Sequence, residues 1–326
     1  MDICLFSAQP YDEEFLQREA PALDWRFTAQ PLNLESLSLA TGARAVCVFV
    51  NDKVNADVLH GLAALGINIV LLRCAGFNNV DLATAKQLGI AVARVPAYSP
   101  EAVAEHCVGM MLCLNRKLHK AYNRVRDDNF SLVGLLGFNL HGRTVGLIGT
   151  GRIGLATARI LAGFGMKILC YDVAPQPELL PTGASYVELA ELFANADIVS
   201  LHCPLTPQTH HLINEQTLKQ MKPGVMLINT SRGGLIDTQA VIQALKNKQI
   251  GLLGLDVYEQ EGDLFFKDLS DEVIADEVFQ RLLTFPNVLI TGHQAFFTAD
   301  AMQQIASTTV ANYRSLSQGS DCANRL

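Results

Sequence analysis

Four side chains able to carry carboxylate and proton chemistry follow predicted buried strands. Arg232 comes just after Val225–Asn229, Asp256 ends Leu252–Val257, Glu261 lies a few residues beyond it, and His293 follows Val288–Ile290. In open α/β sheets, ligands meet residues just past the carboxyl ends of the strands, so this placement predicts an arginine, a carboxylate and an imidazole at one rim. An arginine fork binds a carboxylate bidentately and polarises a neighbouring carbonyl. An imidazole delivers the proton that a developing alkoxide needs, and a partner carboxylate orients the ring and favours its protonated form. Glu259 stands two residues before Glu261 and could serve instead.

The elements that must position these groups are built around a glycine run. The apolar strand Val145–Ile148 leads into Gly149-x-Gly151-x-x-Gly154, a helical stretch follows over Leu155–Gly165, and a second strand, Met166–Tyr171, ends at Asp172. This is a dinucleotide-binding βαβ pattern: Gly149 for the tight turn, Gly151 for close approach to a pyrophosphate, Gly154 for helix–strand packing. The helix N-terminus offers free N–H groups to the phosphates. Asp172, about 20 residues on, is placed to accept from an adenosine ribose. A 2′-phosphate would be repelled there, and Val173-Ala-Pro holds no arginine in compensation, so the reading is NAD rather than NADP. With such a cofactor, the arginine, carboxylate and histidine suit hydride transfer to a 2-keto acid.

The fingerprint lies mid-chain. Before it, predicted strands Ile3–Ser7, Ala45–Val50, Ile67–Leu72 and Ile90–Val95 alternate with helices such as Ala56–Leu65 and Val80–Leu88; one long amphipathic segment then runs from Glu101 to about Tyr122. After it come strands Asp197–Leu201, Val225–Asn229, Leu252–Val257 and Val288–Ile290, which with the fingerprint pair make about six, and helices such as Glu215–Met221 and Thr238–Lys248. A last helix over Ala299–Leu316 is expected to cross back and complete the N-terminal half. The expected fold class is α/β: a doubly wound Rossmann domain (99–296) inserted into a smaller flavodoxin-like α/β substrate domain (1–98 and 297–326), with a cleft for a small ligand between them. Residues 123–142 are polar and glycine-dotted; they read either as an arm that packs on another subunit or as a plain surface loop.

Composition bounds the function. A net charge of −7 without a basic cluster argues against a nucleic-acid partner. No apolar run reaches the ~20 residues of a membrane span, and the start of the chain lacks the features of a signal peptide. Eight scattered cysteines contain no Cys-x-x-Cys pair, and several lie in buried-strand patterns, where a thiol acts as a small hydrophobe. The expectation is a reduced, soluble, cytoplasmic protein.

Further stretches carry a resemblance. Arg73-Cys-Ala-Gly-Phe-Asn-Asn-Val-Asp-Leu82, Val95-Pro-Ala-Tyr-Ser-Pro-Glu-Ala-Val-Ala-Glu-His106, Leu201-His-Cys-Pro-Leu-Thr-Pro207, Asn229-Thr-Ser-Arg-Gly-Gly234, Gly254-Leu-Asp-Val-Tyr-Glu-Gln-Glu261 and Thr291-Gly-His-Gln-Ala-Phe296 occur in order with the glycine run. Together they resemble the D-2-hydroxyacid dehydrogenases, and within them the NAD-dependent fermentative D-lactate dehydrogenases. The resemblance implies reversible reduction of pyruvate to D-lactate. Arg232 would bind the substrate, Glu261 would pair with His293, and His293 would donate the proton. The N–H groups of Ala75 and Gly76 and the hydroxyl of Tyr98 would hold the substrate carboxylate, and Phe296, with Phe297 after it, would crowd a small substrate. Arg152 and Ile153 would lie on the pyrophosphate; Cys203, Pro204 and Thr209 on the adenosine side; Thr230, Ser231 and Asp256 at the nicotinamide end, with Asp256 accepting from the carboxamide. A homodimer or homotetramer is the expected assembly.

Alternatives remain at this stage. Another 2-keto acid, such as glyoxylate, hydroxypyruvate or a bulkier acid, would use the same residues. A formate dehydrogenase reading is weaker, because that branch has no acid at the position of Glu261. An NAD-sensing corepressor-like protein would keep the triad without turnover. His202, His210 and His211 lack metal-ligand spacing, so no metal is expected.

Overall fold

The computed structural model describes residues 1–177, 180–181 and 183–326. The chain divides into two compact units, Met1–Ser99 with Phe297–Leu326, and Pro100–Phe296.

In the first unit, β1 (Ile3–Leu5), α1 (Pro10–Glu19), β2 (Trp25–Phe27), β3 (Ala45–Val48), α2 (Ala56–Ala64), β4 (Ile69–Leu72), α3 (Leu82–Gln87) and β5 (Ala91–Arg94) form a parallel sheet of order β2-β1-β3-β4-β5. That is the flavodoxin-like order. The apolar runs alternate between two layers. Cys4, Val46, Val48, Val70 and Leu72 enter one core, and Ile3, Leu5, Ala45, Cys47, Ile69 and Leu71 the other. The C-terminal helix, Ala299–Ser317, covers the second face through Ala306, Val310 and Tyr313.

The second unit opens with α4 (Pro100–Arg116) and α5 (Leu118–Arg126), where the sequence predicts one long helix. The break falls at Lys117, whose φ is 50°. Just before it, buried Asn115 donates to Phe138 O at 2.6 Å and accepts Phe138 N at 2.8 Å, which ties the end of α4 to a returning loop. Lys117 Nζ then donates to Gly134 O and Leu136 O, and Arg124 to Val133 O. Residues 129–138 thus fold back along α5.

Beyond this segment come β6 (Thr144–Ile148), α6 (Arg152–Gly163), β7 (Lys167–Tyr171), β8 (Ala184–Tyr186), α7 (Leu189–Asn195), β9 (Ile198–Leu201), α8 (Glu215–Leu218), β10 (Val225–Asn229), α9 (Thr238–Lys246), β11 (Ile250–Leu255), α10 (Glu277–Leu283) and β12 (Val288–Ile290). Their parallel sheet has the order β12-β11-β10-β9-β6-β7-β8, seven strands rather than the expected six. The chain leaves β6 toward β8 on one side and returns to β9 on the other, so the topological switch point lies between β6 and β9. Val225 and Leu227 face one core while Met226 and Ile228 face the other, as a sheet covered by helices on both faces requires. No helix among the described residues is long and apolar enough to cross a membrane.

All eight cysteines are free, and seven are buried. Burial pushes the Cys47 thiol up to about 12 and those of Cys170 and Cys203 to about 11, so at neutral pH they remain protonated, inert parts of the core.

Candidate active site

The glycine turn sits at the switch point. Gly149 has φ 98°, and a Cβ there would lie 2.5 Å from Cys203 N, so only glycine lets β6 turn this close to the loop after β9. Gly151 caps α6 with open space where its Cβ would be, and the first turn of α6 holds no acidic residue. Free N–H groups of Arg152 and Ile153 at an uncapped helix start, beside a roomy glycine, fit a pyrophosphate. Gly154 is buried, with its Cβ direction filled by Gly149 O at 2.1 Å, which is the close packing its spacing predicts.

Asp172 follows β7 directly. Its Oδ2 accepts Thr150 N at 2.6 Å and Thr150 Oγ1 at 3.0 Å, and its Oδ1 accepts Ala174 N at 2.9 Å. Burial alone would raise its pKa, but these hydrogen bonds outweigh it and hold the carboxyl below the usual range. An ionised acceptor therefore stands at the end of β7, as a ribose hydroxyl requires. Tyr186 on β8, which sequence reasoning missed, braces this corner through Thr150 Oγ1 at 2.7 Å.

The catalytic candidates come from three strand ends in this unit. Arg232 precedes the short turn Gly233–Leu235 and donates to Ser231 O at 2.7 Å; among the described residues it has no carboxylate partner. Gly233 presses on the next loop so closely that a Cβ would meet Tyr258 C at 2.1 Å. That contact fixes the Arg232 turn against the loop that leads to Glu261. Glu261 Oε2 accepts Tyr258 N at 3.1 Å, and its Oε1 lies 2.8 Å from His293 Nδ1. Glu259 does not compete, because its two oxygens face His211 Nε2 at 2.6 Å and Thr238 Oγ1 at 2.9 Å. Phe266 and Phe296 flank the His293 ring, with centroids 5.6 and 6.5 Å away. Phe266, at φ 66°, was not anticipated from sequence.

Asp256 sits just past β11, is fully buried, and makes hydrogen bonds inside the protein. Oδ1 accepts Thr291 Oγ1 at 2.5 Å and Gln294 N at 2.9 Å, and Oδ2 accepts Ala295 N at 2.9 Å. Its backbone carbonyl accepts His293 N at 2.7 Å. Burial raises its pKa, but hydrogen bonds from His106, Thr291, Ala295 and Gln294 bring it below the usual range. The carboxylate is therefore a template for the turn that carries His293, held at φ 55°.

The remaining candidates fall as follows. Ser231 Oγ donates to Cys203 O at 2.7 Å, which joins the loops after β9 and β10; Cys203 and Thr230 are buried, and Pro204 is exposed. Thr209 Oγ1 donates to Pro204 O at 2.6 Å, so its hydroxyl is used within that loop. In the first unit, Ala75 and Gly76 lie in the loop after β4 and Tyr98 after β5. Arg94 donates to Ala75 O at 2.7 Å, and the N–H groups of Ala75 and Gly76 have no acceptor among the described residues. His210, His211 and Glu259 bring ligand atoms within 4.8 Å of one another, a grouping the spacing argument overlooked because Glu259 comes from another loop. The two imidazoles are stacked, with centroids 3.9 Å and planes 24° apart, and His211 Nε2 lies 2.6 Å from Glu259 Oε1.

A dinucleotide seat and a carboxylate-held histidine thus occur within one unit. The profile of the family described as "D-isomer specific 2-hydroxyacid dehydrogenase, NAD binding domain" matches residues 108–295. The chain belongs to that family of NAD-dependent oxidoreductases. It is 53% identical to the D-lactate dehydrogenase of Escherichia coli (strain K12) over 328 residues, with all of both chains covered. Its structure is similar to that of the protein described as the pyruvate reductase of Chlamydomonas reinhardtii, with a TM-score of 0.93, 45% identity, and coverage of 99% of this chain and 98% of that one. It is also similar to the D-lactate dehydrogenase from Aquifex aeolicus complexed with NAD and lactic acid, with a TM-score of 0.87, 36% identity, and coverage of 98% and 96%.

Proposed function

We propose that the chain reduces pyruvate to D-lactate with NADH and catalyses the reverse reaction. The observation that carries this reading is the His293–Glu261 pair in the same unit as Arg232, which has no carboxylate partner among the described residues. The full-length identity to a D-lactate dehydrogenase supports the choice of substrate.

Arg232 takes the substrate carboxylate and carbonyl oxygen. We assign the first unit as the substrate domain, with the N–H groups of Ala75 and Gly76 and the Tyr98 hydroxyl as its carboxylate-binding groups. The bound nicotinamide cofactor supplies the hydride. His293 holds a proton at Nε2 and gives it to the carbonyl oxygen as charge develops there; Glu261 stabilises the protonated ring and sets its orientation. Phe296 and Phe266 keep water from the imidazole and limit substrate size. Gly149, Gly151, Arg152, Ile153 and Gly154 seat the pyrophosphate, Asp172 the ribose, Cys203, Pro204 and Thr209 the adenosine side, and Thr230, Ser231 and Asp256 the nicotinamide end.

We also propose a homo-oligomer. Leu118, Tyr122, Val125, Phe130, Leu132, Val133 and Leu136 are exposed along α5 and the segment folded on it, with Leu132 and Val133 at 81% and Leu136 at 89%. An apolar surface of this kind is a contact for a second copy of the chain. Eight free cysteines support our reading of a reducing compartment, the cytoplasm.

The test is NADH oxidation across a panel of 2-keto acids with chiral analysis of the product. Preference for pyruvate with D-lactate as product is expected. Preference for glyoxylate, hydroxypyruvate or a bulkier acid would replace the substrate, and no turnover with any would favour an NAD-sensing role.

A further inference from the structure

We propose that His106 on α4 is a positioning residue for His293, acting through Thr291 and Asp256; this rests on the reading of His293 as the proton donor. His106 Nε2 lies 3.1 Å from Thr291 Oγ1 and 3.5 Å from Asp256 Oδ1. Thr291 Oγ1 is in turn 2.5 Å from Asp256 Oδ1. The directions follow from the chemistry of the groups. A carboxylate only accepts, so the single hydroxyl proton of Thr291 goes to Asp256. The lone pair of Oγ1 then faces His106, and Nε2 must carry a hydrogen. The relay runs from the His106 N–H to the Thr291 hydroxyl to the Asp256 carboxylate.

Asp256 closes the relay on the catalytic turn. Its oxygens hold Gln294 N and Ala295 N, and its carbonyl holds His293 N, so three successive N–H groups of the 293–295 segment are read by one residue. That residue is fully buried, whereas the His106 side chain is 20% exposed. A buried carboxylate keeps its geometry only while its lone pairs are filled. His106 completes the set from a separate element, α4, which packs on β10, β11 and β12. Rotation of the Thr291 hydroxyl or of the carboxylate would release the turn and move the His293 ring relative to its substrate.

The test compares His106→Leu, His106→Gln and Thr291→Val in the full chain, with His293→Ala as a control. His106→Leu is expected to lower kcat for pyruvate reduction at least about tenfold, since small misplacements of a catalytic group are costly. KM for pyruvate and NADH affinity, read by nucleotide fluorescence, are expected to stay within about twofold, because neither binding surface is touched. His106→Gln, whose amide places a donor at similar reach, is expected to restore most of the rate. Thr291→Val is nearly isosteric and breaks the same relay; its loss is expected to match that of His106→Leu, and the double variant to be no worse than either single one. If His106→Leu does not fold, Thr291→Val alone decides. Wild-type turnover in the relay variants with an inactive His293→Ala would overturn the relay while leaving the proton donor in place, as would a folded His106→Gln no better than His106→Leu. Full activity in His293→Ala would remove the proton-donor reading and the relay with it.

Discussion

His293 Nδ1 lies 2.8 Å from Glu261 Oε1, and the other oxygen of Glu261 is held by Tyr258 N at 3.1 Å. The glutamate is itself pinned by backbone, so it fixes the imidazole rather than following it. An ionised carboxylate accepts only, so Nδ1 carries a hydrogen and Nε2 is the nitrogen left for chemistry.

Glu261→Gln retains the shape and removes the charge. Turnover in the reduction direction is expected to fall on the order of tenfold or more, since the ring has lost the anion that orients it. Steady-state rates of pyruvate reduction for the two proteins check this. Equal rates would remove Glu261 from the site.

Arg232→Lys keeps the charge and loses the fork. With one or two charge-assisted hydrogen bonds lost, kcat/KM for pyruvate is expected to drop by about 10–100-fold. NADH affinity is expected to be unchanged. Steady-state kinetics and a direct NADH titration check both halves; an unchanged response to pyruvate contradicts the assignment.

Asp172 is held ionised by Thr150 and Ala174. Asp172→Ala is expected to weaken NADH binding by about tenfold and to narrow the preference for NADH over NADPH, since one acceptor for the ribose and one repulsive charge are removed together. A preference ratio equal to that of the wild type would place the ribose elsewhere.

Leu132, Val133 and Leu136 expose their side chains on the segment folded along α5. Replacing all three by Ser is expected to lower the assembly toward a monomer, measured by light scattering, with the fold intact by circular dichroism. A wild-type monomer, or a triple variant of unchanged mass, contradicts the assembly surface.

His202 carries an acid-dependent stability. Burial pushes its imidazole down to about 4, whereas in the unfolded chain it protonates near 6.5. Its neutral form is therefore accommodated in full above about 6.5, and stability is lost progressively as pH falls from there toward 4, by on the order of 3 kcal/mol. His202→Gln, which keeps a donor for Ser200, is expected to flatten the melting temperature between these limits. Parallel curves for the two proteins would sink the idea.

Much of this was legible in the chain because parallel buried strands are dense apolar runs. β10 and β12 begin and end where their residues predict, and both β11 and the glycine turn lie within two residues of expectation. The strands β2 and β8, of three residues each at sheet edges, carry too little pattern to stand out. The break at Lys117 was hidden because it depends on Asn115 reaching Phe138, a contact 23 residues away. In the site, Arg232, Glu261 and His293 follow from the strand-end rule, but the choice between Glu259 and Glu261 needed the loop geometry. Nothing in the spacing of Asp256 says that it also holds the N–H groups of the 293–295 segment, a contact that needs the folded turn.

The central claim is that His293 donates the proton in NADH-dependent reduction of pyruvate. Single-turnover oxidation of bound NADH by pyruvate, in wild type and His293→Ala, tests it most directly. The account predicts D-lactate from the wild type and a hydride-transfer rate lowered by about 10²–10⁴-fold in the variant, with NADH binding nearly intact. A variant that transfers hydride at the wild-type rate would contradict it.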